Sequence, residues 1–245
     1  MARKIEGKLT DHLMNLDPKS FQLATQVPFL EKAGRGALSK EILQTWLSQD
    51  RLYAQAYMRF ASLLLANIRL PLKIASEDIN EKLADLLVEA LVNIRRELKF
   101  FEDVAGRWGL DLDVGVGVES EGVKRYREVF NEVGEGIERG VVGLLEGLVV
   151  LWGTEKCYLE AWRYAATFSP SSSELENDLD GGALRKEFIP NWTSGEFVGF
   201  VERIAGLVDG LWEGEGKEGR EEGLGKVERL WRRVLDVERV FWPEV

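Results

Sequence analysis

Apolar residues recur at helical spacing along most of the chain, and their stripe is widest between Ser39 and Arg69. Such a stripe is typical of a helix with a large buried face. Ser39 suits the N-cap position, because its hydroxyl can accept a free backbone N–H of the first turn. Pro71 is expected to end the helix, since proline disfavours helical geometry for the residue before it. We therefore predict one long, almost fully buried helix here.

The same periodicity predicts helices on both sides of this one. Asp17 and Pro18 are residue types that begin helices, at the N-cap and first helical positions. Other helices are predicted over residues 29–34, 76–108, 119–132, 137–168, 194–213 and 218–241, and residues 169–191 form the longest polar segment, predicted as a loop. Neither a strand-like alternation nor an internal repeat is found. The pattern therefore predicts an all-α bundle that forms a single domain over residues 1–245.

The predicted helix over residues 137–168 contains four glycines, Gly140, Gly143, Gly147 and Gly153. Glycine inside a helix costs roughly 1 kcal/mol relative to alanine. Glycines at these positions are therefore expected to allow close backbone packing against a neighbouring helix.

Asp50 interrupts the apolar stripe of the long helix. It lies four residues after Trp46, three before Tyr53 and seven before Tyr57, so the carboxylate shares one face with three aromatic rings. A carboxylate is costly to bury among aromatic rings without a partner. Asp50 is therefore expected either to pair with a cation such as Arg51, Arg59 or a distant lysine, or to bind a ligand.

Composition excludes several classes of binding partner and of functional site. The formal net charge is −10, with acidic and basic residues interleaved, which argues against nucleic acid and anionic membranes as partners. One cysteine excludes an internal disulfide framework, and the single histidine, His12, excludes a multi-histidine metal site. No signal peptide or membrane-spanning run is found, so we expect a cytoplasmic protein.

Three segments carry a resemblance to a known family. Residues 29–60, FLEKAGRGALSKEILQTWLSQDRLYAQAYMRF, contain Gln49, Asp50 and Tyr53 in a Gln-Asp-x-x-Tyr pattern. The chain ends in DVERVFWPEV, with a glutamate shortly before Phe-Trp, and NWTSGEFVGF lies before an apolar helix. These segments resemble the TenA (thiaminase II) family, which has the haem-oxygenase-like helical fold.

The resemblance implies a pocket in the bundle that binds an aminopyrimidine, without metal or organic cofactor, in a homo-oligomer. Asp50 is implied to hold the ring nitrogen and exocyclic amine, and Glu238 to act as acid/base. Four aromatic residues are implied to stack on the ring or bond to it, namely Tyr53, Tyr126, Tyr158 and Trp192. The implied reaction hydrolyses an aminomethyl-pyrimidine, or thiamin, to hydroxymethyl-pyrimidine in thiamin salvage.

The chain departs from the family at the nucleophile. Bacterial members carry a motif like Pro-Cys-x-x-x-Tyr, and aligning its tyrosine with Tyr158 puts Thr154 at the cysteine position and Glu155 beside it. The only cysteine, Cys157, falls one helical turn later. Two mechanisms stay open. Either Cys157 attacks the substrate, or the chain resembles eukaryotic-type members that lack the cysteine motif, in which Glu155 and Glu238 would activate water.

Three other interpretations are kept. The chain is an enzyme of the same fold with another small amine substrate, or a binding protein or pseudo-enzyme that has the pocket but lost the nucleophile. The third and weakest interpretation is that the chain binds haem through His12. Glu155 also has a structural interpretation, as a solvated residue paired with Lys156 or Arg163, and a buried cysteine is more often inert than reactive.

Overall fold

The computed structural model describes Ile5 and residues 7–73, 77–115, 117–169 and 175–245, and within these ranges it contains helices and no strand. The α-helices are α1 (Leu9–Leu16), α2 (Pro18–Thr25), α3 (Pro28–Gly34), α4 (Lys40–Ala66), α5 (Ile79–Trp108), α6 (Glu121–Glu138), α7 (Leu144–Ala166), α8 (Ile189–Trp192), α9 (Gly195–Gly214) and α10 (Lys217–Phe241). The all-α prediction is confirmed.

Helix α4 matches the predicted long helix, with Ser39 as N-cap accepting a hydrogen bond from the Ile42 backbone N–H at 3.4 Å. Its end differs from the prediction. The helix stops at Ala66, and Asn67 caps it with backbone bonds to the carbonyls of the last turn and a side-chain bond to the Leu63 carbonyl. Pro71 lies beyond this end, so the asparagine cap terminates the helix.

The N-cap of α5 is Asp78, whose side chain accepts from the Asn80 backbone N–H at 2.8 Å. Ser76, which the sequence places at this N-terminus, lies outside the described residues. Asp17 and Ser194 cap α2 and α9 as predicted, each accepting a backbone N–H of the first turn. Polar residues just before an apolar stripe thus mark these helix starts correctly.

The predicted helix over residues 137–168 is wrong at its start. Helix α6 continues to Glu138, a turn follows, and α7 begins at Leu144. Gly140 adopts φ +70° in that turn, a backbone conformation that glycine adopts without strain. Only Gly147 and Gly153 lie inside α7. A Cβ at Gly147 would meet side-chain carbons of Ile137 and Leu64 at 2.5 and 2.6 Å. The close approach is therefore made by side chains and not by a neighbouring backbone.

Much of the predicted loop over residues 169–191 is helical. A 3-10 turn spans Leu175–Asn177, a π-helical segment spans Leu184–Phe188, and α8 follows directly. Asp180 is buried and accepts backbone N–H groups of Gly182 and Leu184 at 2.9 and 2.8 Å, which fixes the start of this segment. Asp180 thus bonds to the backbone of its own segment, which leads directly into α8 and Trp192.

Helix α4 packs against α5 and α6, while α7 packs against α9 and α10. The space between these two groups of helices is lined by aromatic residues, and it contains the cavity described next. No helix in the described part of the chain combines the length and the apolar character needed to cross a membrane.

Candidate active site

A cavity of about 220 Å³ lies between α4, α5, α7 and α9, beside the end of α8. Four acidic side chains line it. Asp50 from α4, Glu97 from α5 and Glu155 from α7 lie inside, whereas Glu196 from α9 is 77% exposed at the rim. Its aromatic lining includes Tyr53, Tyr57, Phe100, Tyr158, Trp192 and Phe197. A cavity with a mostly aromatic wall and a few convergent polar groups is typical of a small-molecule site.

Asp50 is 3% exposed and carries an incomplete set of hydrogen bonds. Its Oδ2 accepts from the Tyr158 hydroxyl at 3.0 Å, whereas Oδ1 is buried without a partner. None of the described lysines or arginines pairs with it, and Arg59 bonds instead to Asn131 and Glu135. Burial raises the pKa of Asp50 well above its usual value, and the charge of Glu97 raises it further. Asp50 therefore offers a buried acceptor to a ligand.

Glu155 and Glu97 are the other two acids inside the cavity. Burial raises the pKa of Glu155 to about 8, with the Tyr57 hydroxyl acting against the rise and the Glu97 charge adding to it. Burial also raises the pKa of Glu97 to about 7, opposed by a hydrogen bond from the Trp192 indole N–H to its Oε1. Carboxyls that titrate near neutral pH in a cavity are suited to proton transfer.

The structural interpretation of Glu155 as a surface ion-pair residue fails. Lys156 and Arg163, its expected partners, both pair with Glu160, at 2.7 and 2.9 Å. Among the described residues Glu155 has no ion pair, and it lines the cavity instead. The carboxyl is therefore available to a ligand or to water.

Trp192 and Tyr158 form a rigid aromatic wall. Their rings meet edge to face at 5.3 Å with an interplanar angle of 82°. Behind them, Trp192 stacks on Trp162 at 4.4 Å and on Phe188 at 5.1 Å. Because both rings are fixed by their neighbours, a flat ligand can bind against them at a low cost in conformational entropy.

Glu238 and Tyr126 form a second buried group. Glu238 is 1% exposed, and its Oε2 accepts from the Tyr126 hydroxyl. Burial raises the pKa of Glu238 to about 8, against the hydrogen bond from Tyr126. Neither residue lines the cavity, but the Tyr126 ring packs edge-on against Tyr53 at 4.9 Å. Tyr53 lines the cavity, and its hydroxyl lies 2.6 Å from Thr154 Oγ1. Tyr53 thus contacts the second group directly.

Cys157 is fully buried and does not line the cavity. Burial and the Glu238 charge raise its thiol pKa well above the usual value, which disfavours the thiolate that a nucleophile needs. Thr154 occupies the aligned nucleophile position and is bonded to Tyr53. The geometry therefore gives no support to Cys157 as the attacking group.

Of the residues predicted from the sequence, five line one cavity, Asp50, Tyr53, Glu155, Tyr158 and Trp192, while Glu238, Tyr126 and Cys157 lie outside its lining. The sequence reasoning missed Glu97. A signal for it exists, because Glu97 lies three residues after Ile94 and four before Phe101, on the buried stripe of α5. An acid in an apolar stripe is the same feature that identified Asp50.

His12 lies outside the cavity lining. Its Nε2 is 2.8 Å from Glu228 Oε1, so the histidine is engaged by a carboxyl on α10. Within the described ranges, no three side chains of the metal-ligating types are grouped so as to hold an ion. The placement of His12 therefore offers no support for haem binding in this cavity.

Comparisons with known proteins place the chain in a family. A curated protein of Fusarium pseudograminearum, named "Probable transcription factor", is 29% identical over 231 residues; the match covers 83% of this chain and 45% of that protein, so the chain spans less than half of its length. A TenA homologue from Pyrococcus furiosus has a TM-score of 0.72 at 24% identity, covering 95% of this chain and 97% of its own.

A second solved structure, a candidate TenA-like thiaminase from Sulfolobus solfataricus P2, has a TM-score of 0.66 at 19% identity. The match covers 97% of this chain and 95% of that one. At these identities the two structures establish the fold. The family model described as TENA/THI-4/PQQC matches residues 15–245. This chain belongs to the TENA/THI-4/PQQC family.

Proposed function

We propose that the protein hydrolyses the C–N bond of an aminomethyl-pyrimidine, or of thiamin, and releases hydroxymethyl-pyrimidine for thiamin salvage. The observation that carries the proposal is the free Oδ1 of Asp50, a buried acceptor in an aromatic cavity. Family membership and the likeness to the Sulfolobus thiaminase candidate support the same reaction class.

The proposed substrate complements the cavity. An aminopyrimidine presents an exocyclic amine and a basic ring nitrogen on one edge, and a carboxylate can accept from both. The Tyr158 hydroxyl already occupies Asp50 Oδ2, so Oδ1 would take the first new hydrogen bond. Ligand binding would then remove the cost of an unpaired buried oxygen. The flat ring would lie against the wall formed by Tyr158 and Trp192.

Glu155 is the proposed catalytic residue, because it is the one that lines the cavity of the two glutamates predicted to activate water. Its carboxylate takes a proton from water, the water oxygen bonds to the methylene carbon, and the C–N bond breaks. With an aminomethyl-pyrimidine, Glu155 then gives that proton to the departing nitrogen, so the products are the alcohol and ammonia. With thiamin, the thiazolium nitrogen leaves as a neutral thiazole, and Glu155 releases the proton to solvent. Glu238 lies behind Tyr126 and Tyr53, so we propose it as a positioning residue.

A binding protein without turnover is the second candidate. The burial of Cys157 outside the cavity favours it, since the usual nucleophile is absent from the site. The name of the Fusarium relative does not decide the matter, because the chain spans 45% of that protein. The net charge of −10 counts against contact with nucleic acid, as phosphate recognition depends on basic side chains.

The experiment is ammonia release from 4-amino-5-aminomethyl-2-methylpyrimidine, with release of hydroxymethyl-pyrimidine from the formylated compound and from thiamin followed in parallel. We expect turnover by the wild type and by Cys157→Ala, and turnover at least about 100-fold slower by Glu155→Gln. Loss of turnover in Cys157→Ala, with turnover kept in Glu155→Gln, would instead support the mechanism in which the Cys157 thiolate attacks. Binding without turnover in the wild type would favour the second candidate, and absence of binding would overturn the pyrimidine proposal.

A further inference from the structure

Glu97 is the acid of the cavity that neither the sequence pattern nor the family resemblance singled out. Its Oε1 accepts from the Trp192 indole N–H, which is the only hydrogen bond that its side chain receives from the described residues. It lines the cavity together with Asp50 and Glu155. Its charge acts on both, since it raises the pKa of each carboxyl. The three acids therefore share one small volume.

The cavity holds no cation that balances these acids. Among the described residues that line it, Arg96 is the only lysine or arginine, and its side chain is 70% exposed at the rim, 3.8 Å from Glu196. Asp50 lines the same cavity, and its Oδ1 is buried without a hydrogen-bond partner among the described residues. Unsatisfied buried acceptors are rare in folded proteins, and one that lines a cavity is open to a hydrogen-bond donor from a ligand or from water.

The hydrogen bond from the Trp192 indole N–H fixes the position of the Glu97 carboxyl. Trp192 stacks on Trp162 and Phe188, so it holds Oε1 in a set position and leaves the rest of the carboxyl to the cavity. Asp50 is held in the same way by Tyr158 on α7. The cavity thus presents two oriented carboxyls, one from α4 and one from α5, each bonded on one oxygen to an aromatic donor.

We propose that Glu97 is a specificity residue that binds a cationic nitrogen on the arm of the ligand, while Asp50 binds its amidine edge. The cavity would therefore select ligands with two separated nitrogen groups, and would prefer a primary ammonium arm to a neutral hydroxyl or formamide arm. The inference rests on the proposed function, since it assumes a pyrimidine at Asp50. A charge-assisted hydrogen bond is roughly twice as strong as a neutral one, which gives the preference its physical basis.

The test compares two ligands that differ only in the arm, the 5-aminomethyl and 5-hydroxymethyl forms of 4-amino-2-methylpyrimidine. Their Kd values are measured by calorimetry at pH 7.5 on Glu155→Gln, which keeps the amine ligand intact, and on Glu155→Gln with Glu97→Gln added. The added change is conservative, because a glutamine oxygen can still accept from the Trp192 indole. Glu196→Gln in the same background is the matched control, since it removes one carboxyl at the rim.

With Glu97 intact, we expect the amine ligand to bind more tightly than the alcohol. Glu97→Gln should weaken binding of the amine by about tenfold or more and change the alcohol by less than about twofold. Glu196→Gln should leave both Kd values nearly unchanged. If Glu97→Gln weakens binding of both ligands equally, or of neither, the proposed role of Glu97 is wrong, whereas the pyrimidine site is still supported. If neither ligand binds even to the wild type, the proposed function and this inference both fall.

Discussion

The Tyr158 hydroxyl donates a hydrogen bond to Asp50 Oδ2 at 3.0 Å, across the interface between α7 and α4. This bond aims the carboxyl at the cavity and leaves Oδ1 as its free acceptor. It also opposes the effect of burial on the Asp50 pKa, because a donor stabilises the charged form. The orientation and the protonation of the Asp50 carboxyl therefore both depend on Tyr158.

Replacing Tyr158 with phenylalanine is expected to weaken pyrimidine binding about tenfold, because the carboxyl loses its orienting donor and is less readily ionised. Asp50→Asn should weaken pyrimidine binding more, by about 100-fold, because the charged acceptor is lost. Calorimetric Kd values for the hydroxymethyl-pyrimidine measure both effects. Unchanged affinity in Asp50→Asn would show that the anchor lies elsewhere.

Glu155→Gln is expected to lower kcat by about 10²–10⁴-fold with little change in ligand affinity, because the amide cannot transfer the proton. Steady-state ammonia release measures kcat, and calorimetry with the hydroxymethyl-pyrimidine measures affinity. Glu160→Gln on the same helix is the control, because Glu160 pairs with Lys156 and Arg163 and does not line the cavity. Equal loss in the two variants would point to a structural effect on α7.

The pH dependence of the reaction follows from the pKa of Glu155, which burial raises to about 8. The proposed step needs the carboxylate, whose population grows as the pH rises toward 8 and then levels off. We therefore expect kcat/KM to increase between pH 6 and pH 8, approaching tenfold per unit at the acid end. A profile that falls over this range would instead assign the protonated carboxyl to the rate-limiting step.

The thiol of Cys157 is expected to be unreactive in the folded protein, because it is fully buried and its pKa is raised. A thiol reagent such as DTNB should label it at least about 100-fold more slowly under native conditions than in denaturant, where the thiol is exposed. The pyrimidine ligand should not change the native rate. Fast native labelling blocked by the ligand would place Cys157 in the site after all.

Glu238 should make stability depend on pH. Its pKa is raised from 4.5 to about 8 in the folded protein, so between these values the folded state binds more protons than the unfolded chain. The free energy of unfolding therefore falls as the pH rises through this window. Glu238→Gln should show a smaller loss of Tm between pH 5 and pH 8.5 than the wild type. Glu202→Gln, at an exposed position of α9, should behave like the wild type.

Gly122 sets the distance between α6 and the end of α10, the helices that carry Tyr126 and Glu238. A Cβ there would lie 2.4 Å from Phe241 Cα and 2.7 Å from the Val240 carbonyl oxygen. We expect Gly122→Ala to lower stability by about 1–3 kcal/mol, because backbone must move. Gly206→Ala, at an open position of α9, should raise it by about 0.5–1 kcal/mol. Denaturant unfolding measures both.

The sequence predicted the helices well where local chemistry decides them. Polar N-caps before apolar stripes located α2, α4 and α9, since a cap bond forms within one turn of chain. It failed at residues 139–143, where a stripe of apolar residues continues through a turn. Periodicity reports which residues are apolar, whereas the turn is made by a glycine conformation that the apolar pattern does not register.

The candidate site, like the fold, was predicted from the sequence in part and decided by tertiary packing in part. Asp50 stands out in the sequence because an acid in an aromatic stripe is costly to bury, and Glu97 carried the same signal on α5. Which acids meet was decided by tertiary packing. Residues 155 and 157 lie about 200° apart around α7, so only one of them can face the cavity. The cavity that α7 shares with α4 and α5 lies on the side of α7 that carries Glu155, and the Cys157 thiol is buried outside this cavity.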